Sequence, residues 1–312
     1  MGENSKIEWT EHTFNIAWGC TKVSPACDHC YAESMANRYG ISVWGKDSPR
    51  RVMSAAHWQA PLKWNAAAAK AGKVARVFCS SMADVFEDHP TLAEQRARLW
   101  PLIKATLWLK WLLLTKRPEN VWTMVPQTWL GEWPANVHPG FTAENQEWFD
   151  RRFAASSRQR LLSADVRWFV SYEPALGPVD FRGLGGINWL IVGGESGGGA
   201  RPMPEAWVRS ARDQALAAGV PFFLKQKIEG GKKRKPQSPK APKGVYEVVA
   251  NMASRRFADS AKIRYTMRQP IGGGSMLDAW ATRNASKAEG SAKQRSAYAK
   301  NTRQPAIVIT FR

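Results

Sequence analysis

Short apolar runs alternate with longer stretches of helical period over the first two thirds of the chain. The runs at 75–81, 108–116, 136–143, 166–173, 187–194 and 220–226 are apolar almost throughout rather than at every second position. Strands buried on both faces of a parallel sheet read this way. Between them, 91–107 reads as a helix opened by Thr91 with Glu94 in capping-box spacing, and Pro101 is expected to kink it. A second helix covers 205–218, with Pro204 near its start and Gly219 past its end. Six or seven such units in succession predict an α/β fold, a partial or near-complete parallel β/α barrel.

Every predicted strand ends in polar residues. These are Ser80, Ser81 and Asp84; Thr115, Lys116 and Arg117; Thr142 and Glu144; Ser171, Tyr172 and Glu173; Gly193, Gly194, Glu195 and Ser196; Lys225 and Gln226. In a parallel barrel all of them face one mouth, where the chemistry of such folds is carried out. Taken singly, each is as well explained by capping the helix that follows. The glycine-rich turn after Val192 allows close backbone approach, but it lacks the spacing of a dinucleotide fingerprint or a phosphate loop.

Composition changes the picture at the C-terminal end. The 312 residues carry a formal charge of +19, and 44% of them are hydrophobic, enough for a large core. From Lys227 onward there are 19 Lys and Arg against 5 Asp and Glu, which leaves only +5 for residues 1–226. This divides the chain into a barrel domain at 1–226, a Pro/Gly/Lys linker at 227–244 and a basic C-terminal extension at 245–312. Within the extension, 245–252 and 307–311 read as short strands, and Phe257, Tyr265, Trp280 and Tyr298 are interleaved with Arg255, Arg256, Arg264, Arg268 and Lys300. A solvated tail has this composition too, but basic and aromatic residues in alternation suit phosphate contact with base stacking, so nucleic acid is the expected partner. No apolar stretch is long enough to span a membrane, and Met1 to Thr10 is polar, so neither a membrane nor a secretory route is expected and a cytoplasmic location is.

Three of the four cysteines fall within eleven residues, as Cys20, Cys27 and Cys30 in a C-x6-C-x2-C arrangement. Thiolates at this spacing hold either zinc or an iron–sulfur cluster. Zinc would take His29 or His12 as a fourth ligand, whereas a cluster would leave one position open. A disulfide framework would strand one cysteine of the triplet. Cys79, in the run Val77-Phe78-Cys79, reads as a small buried thiol outside the site.

The segments "WGCTKVSPACDHCYAE", "SSMADVF", "LLLTKRPEN", "SYEPALGP" and "WLIVGGESGGGARPM", in that order, make residues 7–226 resemble the phage-associated radical S-adenosylmethionine family. The resemblance implies a partial β/α barrel in which Cys20, Cys27 and Cys30 hold a 4Fe-4S cluster whose remaining iron binds S-adenosylmethionine. Most radical S-adenosylmethionine enzymes space their cysteines C-x3-C-x2-C, so the first gap here is longer. The resemblance further implies that Ser81, Gly193 and Gly194 contact S-adenosylmethionine, with Glu195 and Glu173 reaching its ribose or amino groups. Lys116 and Lys225 would hold a phosphate or a substrate carboxylate, and Lys116, Glu173 and Lys225 would form the catalytic set. An external electron donor is required. The substrate implied is DNA, in a phage setting the viral genome within the host cytoplasm, with the target nucleotide flipped into the mouth. The reaction implied is isomerisation of an amino-acid adduct on thymidine, from N-linked to C-linked glycinylthymidine, in a thymidine hypermodification pathway that evades restriction. A lesion-reversing repair enzyme similar to spore photoproduct lyase, and a non-enzymatic zinc-containing DNA-binding protein, are the competing readings.

Overall fold

The computed structural model describes residues 2–3, 5, 7–160, 166–181, 184–196, 199–229, 232–234, 247–248 and 307–308. Strand β1 (His12–Phe14) is followed by a small antiparallel ribbon of β2 (Ala17–Trp18) and β3 (Arg51–Val52). Then come β4 (Ala75–Cys79), β5 (Leu109–Thr115), β6 (Val137–Thr142), β7 (Trp168–Tyr172), β8 (Ile187–Gly193) and β9 (Phe222–Glu229). β1 and β4 to β9 pair in parallel in chain order, which makes a seven-stranded curled half-barrel. β10 (Lys232–Arg234) pairs antiparallel with β9 at the edge, so the sheet continues past residue 226 into the segment expected as a linker. In the basic extension a two-residue antiparallel pair, β11 (Glu247–Val248) with β12 (Ile307–Val308), is described. The remainder of the strands expected at 245–252 and 307–311, and the interleaved aromatic and basic residues between them, lie outside the described residues.

The helices are α1 (Tyr31–Arg38), α2 (Ala55–Lys70), α3 (Pro90–Ala105), α4 (Pro118–Met124), α5 (Thr128–Gly131), α6 (Gln146–Arg160) and α7 (Glu205–Ala217). All six strands predicted from apolar runs are present, most of them shortened at their ends, while β9 starts two residues later and runs three residues further than expected. One boundary differs. α3 begins at Pro90 with His89 as its N-cap, so Thr91 lies inside the helix rather than capping it. Proline at the first helical position has its ring torsion already set and loses no hydrogen bond, which outweighs the capping box. The helix runs through Pro101 to Ala105.

Side-chain direction alternates along each strand and sorts the core into two layers. Val77, Trp111, Leu113, Phe141, Val170, Leu190 and Val192 pack outward under the helices, together with Cys79, which is fully buried. Burial pushes the Cys79 thiol up to about 12, as expected of a core residue. Phe78, Leu112, Phe169, Trp189 and Ile191 face inward and fill the base of the half-barrel, where Trp9 seals them from below. The Trp9 ring lies 4.8 Å from Phe78 and 6.1 Å from Trp189.

Gly140 belongs to this inner packing. A Cβ there would stand 2.3 Å from ring atoms of Phe169. Gly140→Ala is therefore expected to lower stability by roughly 1–3 kcal/mol through overpacking. Urea unfolding should show a lower midpoint at unchanged slope, whereas an unchanged midpoint would mean that Phe169 swings aside freely.

Candidate active site

The ends of the parallel strands gather at one mouth, and the loop carrying Cys20, Cys27 and Cys30 is fastened across it. Three independent attachments do this. The first holds Cys20. Asp84, after β4, accepts from Thr115 Oγ1 at 2.7 Å and Lys116 N at 3.0 Å, and pairs with Arg117 Nη1 at 3.0 Å. The same Arg117 nitrogen lies 3.8 Å from Cys20 Sγ, and its Nη2 donates to Thr21 O at 2.7 Å. Glu87 accepts from Thr21 N at 2.8 Å and binds Arg50 through both carboxylate oxygens at 2.9 and 3.0 Å. Arg50 in turn donates to the carbonyls of Val43, Gly45 and Ser48. All four charged residues are buried, so each depends on its partners. Removing one charge from such a pair costs roughly 3–5 kcal/mol, because the other is left uncompensated.

Gly19 shows why the chain can enter this loop so tightly. Its φ is +119° and a Cβ would stand 2.4 Å from Val43 O, so only glycine fits. Burial, with Asp84 adding to it and Arg117 opposing, pushes the Cys20 thiol up to about 12.

The second attachment lies beside Cys30. Tyr31, the first residue of α1, donates its hydroxyl to Ser81 O at 2.8 Å. Ser81 Oγ accepts from Asn15 Nδ2 at 3.1 Å, and Asn15 Oδ1 accepts from Met82 N at 2.8 Å. Asn15, one residue beyond β1, thus ties the first strand to the end of β4.

The third attachment joins the glycine-rich turn to the segment around Cys27. Glu195 accepts from Arg201 N and Nε at 2.9 Å and pairs with Arg201 Nη2 at 2.5 Å; His29 Nδ1 lies 2.9 Å from its Oε2. Arg201 Nη2 also donates to Pro25 O at 2.7 Å. Burial works to raise the Glu195 pKa, but the hydrogen bonds from Arg201 and His29 outweigh it and hold the carboxyl at about 2.

A folded-state pKa below the ordinary value of 4.5 means that Glu195 stabilises the fold fully above pH 4.5. That contribution is lost as pH falls through about 2. Glu195→Gln should therefore flatten the acid limb of thermal stability between those values relative to the parent protein. Identical acid limbs in the two proteins would mean that the latch is not formed in solution.

On the far side of the mouth, Lys225 Nζ lies 2.6 Å from Glu173 Oε2, and Ser171 Oγ donates to Glu173 Oε1 at 3.2 Å. Two features position this pair. The register between β8 and β9 shifts so that Val192 faces Leu224 and Gly193 faces Gln226, which leaves Lys225 as the extra residue of a bulge. Bulges re-aim a side chain in this way. Gly193 then makes room, since a Cβ there would stand 3.0 Å from Glu173 Oε2 and 3.2 Å from its Cγ.

The predicted residues thus fall into separate groups. Cys20, Cys27 and Cys30 share one fastened loop; Ser81 stands beside it; Gly193, Glu173 and Lys225 form a cluster; Gly194 and Glu195 begin the turn that reaches back to Cys27. Lys116 stands at the end of β5, four strand positions from β9, so Lys116 and Lys225 flank opposite sides of the mouth. Thr142 and Glu144 close on Arg152 of α6, and Tyr172 points outward with its hydroxyl donating to Gly177 O, so these strand-end residues serve the fold. His12 stacks on Trp64 at 4.4 Å on the outer face of the sheet, away from the cysteine loop. Asn15, Tyr31, Arg50, Glu87 and Arg201 were not singled out from the sequence. Their partners lie up to 176 positions away, and no local spacing signals such pairs.

Among the described residues no three His, Cys, Asp or Glu side chains converge as ligands of a single ion. A cubane cluster does not require that convergence, because each thiolate bonds a different iron. None of the three cysteines is engaged in a disulfide. The donor set of three free thiols on one loop thus fits an iron–sulfur cluster.

Fold and site define an α/β half-barrel protein with an open strand-end mouth faced by a three-cysteine loop. The chain belongs to the family described as "Protein of unknown function (DUF5131)", whose model matches residues 4–295. No curated protein matches it. Among solved structures it is similar to a spore photoproduct lyase point mutant, at 13% identity and TM-score 0.46, covering 73% of this chain and 79% of that one. It is also similar to spore photoproduct lyase complexed with dinucleoside spore photoproduct, at 14% identity and TM-score 0.43, covering 92% and 75%.

Proposed function

We propose that this protein is a radical S-adenosylmethionine enzyme that modifies DNA, and that its reaction is the conversion of an N-linked to a C-linked glycine adduct on thymidine. The observation that carries this reading is the placement of Cys20, Cys27 and Cys30 on one loop fastened at three points over the mouth of the half-barrel. Cys20, Cys27 and Cys30 would hold a 4Fe-4S cluster, and with bound S-adenosylmethionine that group supplies hydrogen abstraction from an unactivated carbon.

What the protein adds is position and exclusion of water. Arg117 and Tyr31 keep the two ends of the cysteine loop against the ends of β4 and β5. Ser81, Gly193 and Gly194 offer strand-end backbone to S-adenosylmethionine. Glu195 is occupied by Arg201 and His29, so it acts here as a positioning residue rather than as a cofactor contact. Lys225, held by Glu173, would offer its ammonium to the carboxylate of a glycine adduct, and Lys116, at the end of β5, would take a phosphate. The basic extension at 245–312 supplies salt-sensitive affinity for the polymer, the physiological reductant is external, and the setting is the host cytoplasm during phage infection.

The decisive experiment uses anaerobic, reduced protein with S-adenosylmethionine and DNA carrying N-linked glycinylthymidine. With unlabelled DNA the expected product is a nucleoside of equal mass and different retention, because the bond from the thymine methylene to nitrogen breaks, one to the glycine α-carbon forms, and the hydrogen taken from that carbon returns to the nitrogen. With that carbon deuterated, deuterium should enter 5′-deoxyadenosine. Loss of mass would assign a lyase or decarboxylase instead. A truncation tests the extension and is placed after Arg234, since β9 and β10 carry the sheet that far. It should weaken DNA binding and lower the salt slope by about 0.9 for each phosphate contact removed. An unchanged slope would make the extension a bystander.

A further inference from the structure

Beside the cysteine loop, outside the half-barrel, lies a groove of about 650 Å³. Trp18 and Tyr39 give it aromatic walls, Met35 and Met53 line its floor, and Arg51 stands at its edge. Trp18 and Arg51 face one another across the β2–β3 ribbon, with the guanidinium carbon 5.8 Å from the indole centroid. Tyr39 is 67% exposed and its ring centroid lies 6.4 Å from that of Trp18. Among the described residues no carboxylate lines the groove. The buried Asn15 is the wall shared with the strand ends, since it lines the groove and also bonds Ser81 and Met82.

We propose that this groove binds a single-stranded DNA segment flanking the target nucleotide, with one base against Trp18 and Tyr39 and a neighbouring phosphate on Arg51. Exposed aromatic rings accept any base face, and an arginine among them supplies both phosphate contact and stacking. Thioether side chains adapt to a planar guest without demanding one shape. Adjacency explains the choice of occupant: the buried Asn15 alone joins the groove wall to Ser81 and Met82 at the end of β4, so a strand whose target base enters the mouth places the adjoining nucleotide at the groove. The inference rests on the reading that this protein acts on DNA, and it adds where the strand runs.

The test photocrosslinks the full chain to a single-stranded oligonucleotide carrying 5-iododeoxyuridine, maps the adducts by mass spectrometry and measures affinity by anisotropy at several salt concentrations. Adducts should fall on Trp18 or Tyr39. Tyr39→Ala should weaken binding about ten-fold at an unchanged melting temperature. Arg51→Ala should reduce the salt slope by about 0.7. Binding that survives both variants unchanged, with adducts only elsewhere, would overturn the groove and leave the DNA reading standing. An oligonucleotide that does not bind even at low salt would overturn both. If Tyr39→Ala instead alters only the sedimentation of the protein, the groove is a contact between copies of the chain and the proposal fails.

Discussion

Replacing Cys20, Cys27 or Cys30 by alanine is expected to abolish the brown colour of the anaerobically reconstituted protein and all cleavage of S-adenosylmethionine. With one thiolate gone, the two remaining cysteines would not hold a 4Fe-4S cluster with a single open iron. Cys79→Ala is the control, because that thiol lies in the helix-side core and its removal costs packing and a contact with Ser80 Oγ, both away from the cysteine loop. His29→Ala is a second control. Its ring is bonded to Glu195, so the variant should keep the cluster while loosening the segment around Cys27. Arg117→Ala should behave in between. It leaves all three thiols in place but frees Cys20 and Thr21 from the end of β5, so iron content per chain should fall, and added Asp84→Asn should recover stability lost to the unpaired carboxylate without returning the iron. Stoichiometric zinc and no iron after reconstitution would reject the cluster and with it the proposed function.

Lys225→Ala is expected to lower turnover on adduct-bearing DNA by on the order of 10²-fold, with iron content unchanged, since loss of a positioning contact near the reacting group has effects of this size. The pair with Glu173 makes a sharper test. Glu173→Gln keeps the shape of the side chain and removes the charge that orients the ammonium 2.6 Å away. If the pair acts as a unit, the double variant should be little worse than Lys225→Ala alone. Additive losses would mean that the two residues act separately. Gly193→Ala approaches the same pair from the backbone: its new methyl group would press on Glu173 at about 3.0 Å, so turnover should drop while both charges remain. Unaltered turnover in all three would remove this side of the mouth from the reaction.

Strand existence and the parallel sheet were legible from the apolar runs along the chain, because strands buried on both faces are apolar at most positions and β5 and β6 are buried almost throughout. The cysteine spacing was equally local, as three ligands within eleven residues need no tertiary information to stand out. What escaped were the short and the composite features. β1 has only three residues, too few for any period to register, and α2 has Pro61 within it, which argues against a helix until Trp58, Trp64 and Ala68 are seen to share a buried face with it. The roles of the strand-end residues escaped for a different reason. Thr142 and Glu144 look the same in sequence as Ser171 and Glu173, yet the first pair meets Arg152, while Ser171 and Glu173 bond each other and Glu173 meets Lys225. A carboxylate is a catalytic candidate or a strut according to which cation folds against it. Arg50 reaches Glu87 from 37 positions away and Arg152 reaches Glu144 from the following helix, while Arg201 closes on Glu195 within one connection whose path the sequence does not show. The bulge at Lys225 and the space left by Gly193 exist only between neighbouring strands. The sequence by itself determined the sheet, the cysteine loop and the charge of the extension; only the tertiary structure decided which polar ends face the mouth and which hold it shut, because pairing of buried charges is a property of contacts made across the fold.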